Sequence, residues 1–259
     1  MKMFSQMRVA LTALVAIALL SGCSVTSVRM HEDHAQHTQD YQRIAIVPPV
    51  VEMKLVNFDG EGERLTPQED AIRSQLIAEA SSKLTARGFT PVVVERERML
   101  AQFADFNVDV ANLRESYQSI AANLYTGKAV NEKKVASFRQ SVGEAASVVA
   151  HSTNSDAILL LKYTGWEKSK GSVAKDMAAS ILVGVLTAGA VVPVQAMSGE
   201  SVEAALIDGD SGDVVWANVF AGADNSGGAV SANLTELQRL QTEAQPVAEI
   251  AETEAKKKL

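Results

Sequence analysis

The chain has 259 residues, 47% hydrophobic and 21% charged, with a formal net charge of −7 and one cysteine. Its length supports one sizeable domain or two small ones. An acidic chain with no basic stripe excludes nucleic acid as a partner and disfavours an anionic lipid surface, and one cysteine excludes an internal disulfide framework. Few aromatic residues and abundant alanine favour helices packed on a modest sheet.

Lys2 and Arg8 precede an apolar stretch, Val9 to Leu20, broken only by Thr12. A basic start, a short greasy run and then small residues is the layout of a secretory signal. The run is about a dozen residues, short of the roughly 20 that a spanning helix needs. It closes on Leu20-Ser21-Gly22-Cys23, which resembles the bacterial lipobox. Residues 1–22 are therefore expected to be a signal peptide, with Cys23 as the lipid attachment residue. Lipidation also accounts for a solitary thiol, and two or more acyl chains anchor stably. Loss of Lys2 and Arg8 with the signal makes the charge −9. By resemblance to Gram-negative lipoproteins, Ser24 rather than Asp implies the outer membrane.

Residues 23–42 are polar and read as a lipidated flexible tether. His31, His34 and His37 recur at spacing three, which on a helix would bring three potential metal ligands to one face. Nothing elsewhere completes a site, so a polar linker is the favoured reading and no metal is assigned. Arg43 to Val47 reads as a buried strand stopped by Pro48-Pro49, followed by a loop rich in Gly and Glu. Thr66, Pro67 and Glu69 have the form of an N-cap, a first-turn proline and a capping box. Ile72, Leu76, Ala80 and Leu84 give the ensuing helix one apolar face, and Gly88 ends it. Phe89 to Val94 is the next strand, and the intervening helix permits a parallel pair.

Residues 96–150 read as a helical insertion. Leu113, Tyr117, Ile120 and Leu124 share one face; Asn131 caps a second helix with Val135, Phe138, Val142 and Ala146 inward. Ser155 to Tyr163 is a strand whose continuous apolar centre suits cover on both faces. Met177 to Val194 is apolar except for Ser180 and Thr187 and borderline in length for a span, but Gly184, Gly189 and Pro193 interrupt it. A buried helix or small-residue loop within 174–197 is preferred, with a partner- or lipid-facing surface as the alternative. Ser201 to Ile207 and Val214 to Phe220 form an antiparallel hairpin around Asp208-Gly209-Asp210-Ser211-Gly212-Asp213. Val219 stands where a calcium loop needs its bidentate Glu, so a solvated turn is expected. Residues 229–259 read as an exposed helical tail.

No Gly-x-Ser-x-Gly elbow or phosphate-binding glycine loop occurs. His151 falls at a helix end, where a cation is favourable. Glu95 and Glu97 flank Arg96 and Arg98 as a solvated charge cluster. No catalytic residue and no cofactor are assigned.

The first strand, Ile44-Ala45-Ile46-Val47-Pro48-Pro49, and the hairpin residues Asp208, Gly212, Val214 and Trp216 carry a resemblance. They resemble a superfamily of envelope lipoproteins that includes curli-secretion channel lipoproteins, penicillin-binding-protein activators and the N-terminal domain of TolB. The resemblance covers 43–95 and 155–220. It implies a three-layer α/β domain over 43–228, with a mixed sheet of about five strands and a C-terminal antiparallel hairpin. It also implies a non-enzymatic accessory or assembly role on the periplasmic side of the outer membrane. The expected partners are the membrane, through the lipid on Cys23, and an envelope protein, with the chain alone or as a homo-oligomer. A secretion-channel subunit is the alternative, lowered because a barrel needs alternating strands of about 9–11 residues. A periplasmic hydrolase is the second alternative.

Overall fold

The computed structural model describes residues 25–57, 62–95, 104–125, 136–169 and 198–222, together with Val230, Asn233 and Leu234. The expected signal peptide, Cys23, the apolar run at 174–197 and most of the C-terminal tail lie outside these residues. The order is β1 (Val25–His31), α1 (His34–Thr38), β2 (Arg43–Ile46), β3 (Val50–Val56), β4 (Gly62–Arg64), α2 (Thr66–Thr85) and β5 (Thr90–Val93). It continues with α3 (Ala104–Tyr125), β6 (Ala136–Phe138), α4 (Ala145–Thr153), β7 (Ala157–Lys168), β8 (Ser198–Asp208) and β9 (Val214–Gly222). The strands form one mixed sheet in the order β4-β3-β7-β8-β9-β1-β6, with β2 also alongside β7 and β5 outside β2. The α/β class and the late antiparallel hairpin are as expected; the nine strands exceed the expected five or so.

The core lies on both sides of β7. Leu159, Leu161 and Tyr163 face α2 through Leu76, Ala80 and Leu84. Ile158 and Leu160 face α3 and α4 through Val110, Leu113, Tyr117, Ala146 and Val149. Alternate side chains of a strand point to opposite faces, so an unbroken apolar run is what two-sided cover demands. Each fully buried Leu or Ile contributes roughly 1.5–3 kcal/mol relative to exposure. Within the span read as an insertion at 96–150, α3 and α4 therefore form a structural layer over one face of β7.

Four strands, β1, β3, β4 and β6, escaped the sequence reading. The expected tether is instead β1 and α1: β1 pairs antiparallel with β9 and parallel with β6, burying Val28 and Met30. The loop after Pro49 is instead the β3–β4 hairpin. Both β2 and β3 run parallel to β7, so they are one line of strand interrupted at the prolines. Four steps from Ile46 to Val50 lie against three from Leu159 to Lys162, leaving one extra residue in Val47-Pro48-Pro49. Proline cannot donate to the ladder, and a bulge tolerates that. Arg73 from α2 and Arg114 from α3 donate to the carbonyls of Pro49 and Pro48.

Other local expectations changed as well. Residues 136–138 form β6 beside β1 rather than helix, with Phe138 on the sheet edge, and α4 starts only at Ala145; Asn131 and Val135 of the expected helix lie outside the described residues. Thr66 makes no capping bond; Leu65 is the N-cap. Glu69 is buried and accepts from the Met53 amide (3.1 Å) and Arg64 Nε (2.7 Å), clamping β3 and β4 to α2. At the tail, Val230, Asn233 and Leu234 are buried on the α2 face rather than exposed. Asn233 Nδ2 donates to the carbonyls of Val202 (2.7 Å) and Asn218 (3.1 Å). Gly88, with φ +84°, ends α2 as expected, and Phe89 N–H bonds Leu84 O.

Candidate functional site

The end of the sheet where β1 finishes and β8 turns into β9 gathers most of the polar chemistry. The β1–β9 ladder aligns Met30 with Trp216 and so brings His31 to the β8–β9 turn. The short helix α1 then folds back over that turn, carrying His37 to it. His37 Nδ1 lies 3.3 Å from Asp208 Oδ2, and His37 Nε2 lies 3.7 Å from Asp213 Oδ2. The rings of His31 and His37 meet edge to face with centroids 5.0 Å apart. His31 is buried, whereas His37 and Asp213 are partly exposed.

Asp208 is the hub of this end. Its Oδ1 accepts from the amides of Ser211 (2.7 Å) and Asp210 (3.0 Å) and from Ser211 Oγ (3.0 Å). Its Oδ2 accepts from the Tyr41 hydroxyl at 2.5 Å. Desolvation pushes the carboxyl up, but the Ser211 amide, Tyr41, the Ser211 hydroxyl and His37 together hold it below the usual value. The Tyr41 phenol is driven up, first by burial and then by its bond to Asp208. Next to them, Asp156 Oδ2 accepts from the amides of Gln42 (2.7 Å) and Arg43 (2.8 Å), fixing the start of β2. A groove of about 530 Å³ runs past these groups, with Asp33, Asp40, Asp156, Asp208 and Asp210 along it. The expected solvated turn is therefore structured, with Asp208 inside it.

A second polar feature lies under α3. Glu203 projects from β8 toward Tyr117, beside Lys162 and Gln118, in a pocket of about 190 Å³. That is below the 300 Å³ or more of ordinary small-molecule sites. Burial raises the Glu203 carboxyl, partly offset by the Lys162 charge and the neighbouring Tyr117 and Gln118 side chains.

Of the residues singled out in the sequence, Cys23 lies outside the described residues. The three histidines do not share a helix face: His31 ends β1, while His34 and His37 are in α1. His34 Nδ1 lies 3.1 Å from the His31 carbonyl oxygen, and Asp213 takes its place in the cluster. His151 is in the last turn of α4, exposed, with Nδ1 2.9 Å from Ser147 O. Glu95 is exposed; Arg96, Glu97 and Arg98 lie outside the described residues. Sequence reasoning missed Tyr41, Asp156 and Asp213. The run of acids at 208–213 was the available signal, but nothing in it pointed to the histidines.

No protein-family model matches the chain, and no curated protein matches it. Among solved structures it is similar to the PelC dodecamer from Paraburkholderia phytofirmans, with 11% identity over 85% of this chain and 98% of that one and a TM-score of 0.38. A leucine-to-methionine variant of that PelC dodecamer gives 11% identity, the same coverage and a TM-score of 0.36.

Proposed function

We propose that this chain is an outer-membrane lipoprotein, anchored through Cys23, that serves an envelope protein complex as a non-enzymatic accessory or assembly factor. The observation that carries the anchoring geometry is the start of β1. Val25 is two residues after Cys23 and already pairs with Ala221. Two residues reach at most about 7 Å, so a lipid on Cys23 holds the sheet directly at the bilayer rather than on a leash.

That seat has a direction. Val25, Gly222, Ser198 and Lys168 lie at one end of the ladder, and His31, Asp208 and Ala157 at the other. A strand of seven residues spans about 20 Å, so a lipid on Cys23 sets the His–Asp end away from the bilayer. An accessory protein held so close to the membrane would meet its partner through that distal end or through its flanks.

Cross-linking in cells, followed by identification of the attached chains, tests the role. Recovery of a defined envelope protein supports it. Recovery of the chain only with itself, as rings that conduct ions in bilayers, would replace it with the channel reading.

A further inference from the structure

We infer that His31, His37 and Asp213 form a binding site for one divalent transition-metal ion of the zinc class. One ligand atom from each lies within 4.8 Å of the other two. Bonds of about 2.0–2.1 Å at a tetrahedral ion place ligand atoms roughly 3.4 Å apart. His37 Nε2 and Asp213 Oδ2, at 3.7 Å, are already near that separation, and the remaining closure is within reach of side-chain rotation.

The support around His37 is that of a metal ligand. Ligating histidines donate their other ring N–H to a carboxylate, which fixes the tautomer. Here Asp208 is that carboxylate, itself oriented by Tyr41 and the Ser211 and Asp210 amides. With the proton on Nδ1, the Nε2 lone pair faces the acceptor oxygen of Asp213. In that tautomer, a cation between the two acceptors satisfies both. Two imidazoles and one carboxylate favour zinc, nickel or copper over calcium or magnesium, which take oxygen ligands. Three protein ligands leave a fourth position for water or another ligand. The five aspartates along the groove raise the local cation concentration. His31 Nδ1 accepts from the Asp33 amide at 3.1 Å, and a cation must compete with that bond for the ring. His31 is therefore the weakest ligand, and the affinity falls below that of a fully preformed site. This inference stands on the described residues alone and does not depend on the lipid or the proposed role.

The test is zinc competition against a chromophoric chelator, using the full chain in detergent. One ion per chain is expected. His37→Ala and Asp213→Asn should each weaken binding at least about tenfold, and Asp208→Asn by about 10–100-fold through loss of orientation. His34→Ala and His151→Ala should bind as the wild type does. Zinc should also raise the melting temperature of the wild type but not of Asp213→Asn, whose fold is checked by circular dichroism. No binding at saturating zinc overturns the assignment. Wild-type affinity in the His37→Ala and Asp213→Asn variants, or loss in His34→Ala, overturns it as well.

Discussion

Replacing Asp208 with alanine tests whether the turn end of the sheet is held by one carboxylate. The Tyr41 hydroxyl is buried and donates to Asp208 Oδ2 at 2.5 Å, so the substitution strands a buried donor. That costs about 1–3 kcal/mol. The Ser211 and Asp210 amides lose their acceptor too, but they are partly exposed and water replaces much of it, at about 0.5 kcal/mol each. The expected total is about 3 kcal/mol, or a fall of roughly 6–12 °C in melting temperature for a domain of this size. Tyr41→Phe alone should cost about 1 kcal/mol, since Asp208 keeps its other donors. Urea unfolding of the two single variants and the double variant isolates the pair, with an expected coupling of about 1–2 kcal/mol. The pH dependence has a definite sign. The folded carboxyl is depressed, so its contribution is full above the ordinary value of about 3.9 and is lost as pH falls through the folded value. The gap between wild type and Asp208→Ala should therefore narrow on acidification below about pH 4. Costs that add within about 0.5 kcal/mol, or a gap that widens on acidification, would refute the reasoning.

Glu69→Ala should cost about 2 kcal/mol by stranding the Met53 amide. Glu69→Gln should cost under about 1 kcal/mol, because it keeps that acceptor and gives up only a bond to the exposed Arg64; urea midpoints compare the two. Glu203→Gln should be neutral or stabilising at pH 7. The folded carboxyl is raised, so ionising it opposes folding once pH rises above the ordinary value of about 4.3, and the variant's stability profile should be flatter there. Gly212→Ala should cost more than Gly88→Ala by about 1–2 kcal/mol in the same assay. Both have positive φ, but a Cβ at Gly212 overlaps the Gly143 carbonyl oxygen whereas one at Gly88 meets nothing within 4 Å. The seat on the membrane can be read with fluorophores on introduced cysteines, since Cys23 is the chain's only native one. A probe at Thr26 should be quenched by headgroup quenchers in vesicles and a probe at Gln36 should not; equal quenching would contradict the orientation.

The two-sided core was legible because a central strand cannot hide its composition. Ala157 to Leu161 is apolar at every position, and α2 carries its face at regular spacing. By contrast, β1 is short and mixed, with Arg29 and His31 facing one way and Val28 and Met30 the other, so it resembles a polar linker until β9 supplies its partner. The β3 pattern was hidden by the two prolines that break its line with β2. Glu69 has the spacing of a capping box, yet the Met53 amide and Arg64 claim it, a competition decided between segments rather than along one. The His–Asp cluster failed to show for the same reason: it joins β1, α1 and a turn far along the chain. Local spacing groups His31 and His37 with His34, whose ring instead lies against the His31 carbonyl.

The most direct test of the account is incorporation of labelled palmitate by the wild type and by Cys23→Ser in a bacterial host, with fractionation of the envelope. The wild type should carry label and cofractionate with outer membranes, while Cys23→Ser should carry none and persist as a longer precursor. A labelled Cys23→Ser chain in the outer-membrane fraction, or an unlabelled wild type, would contradict it.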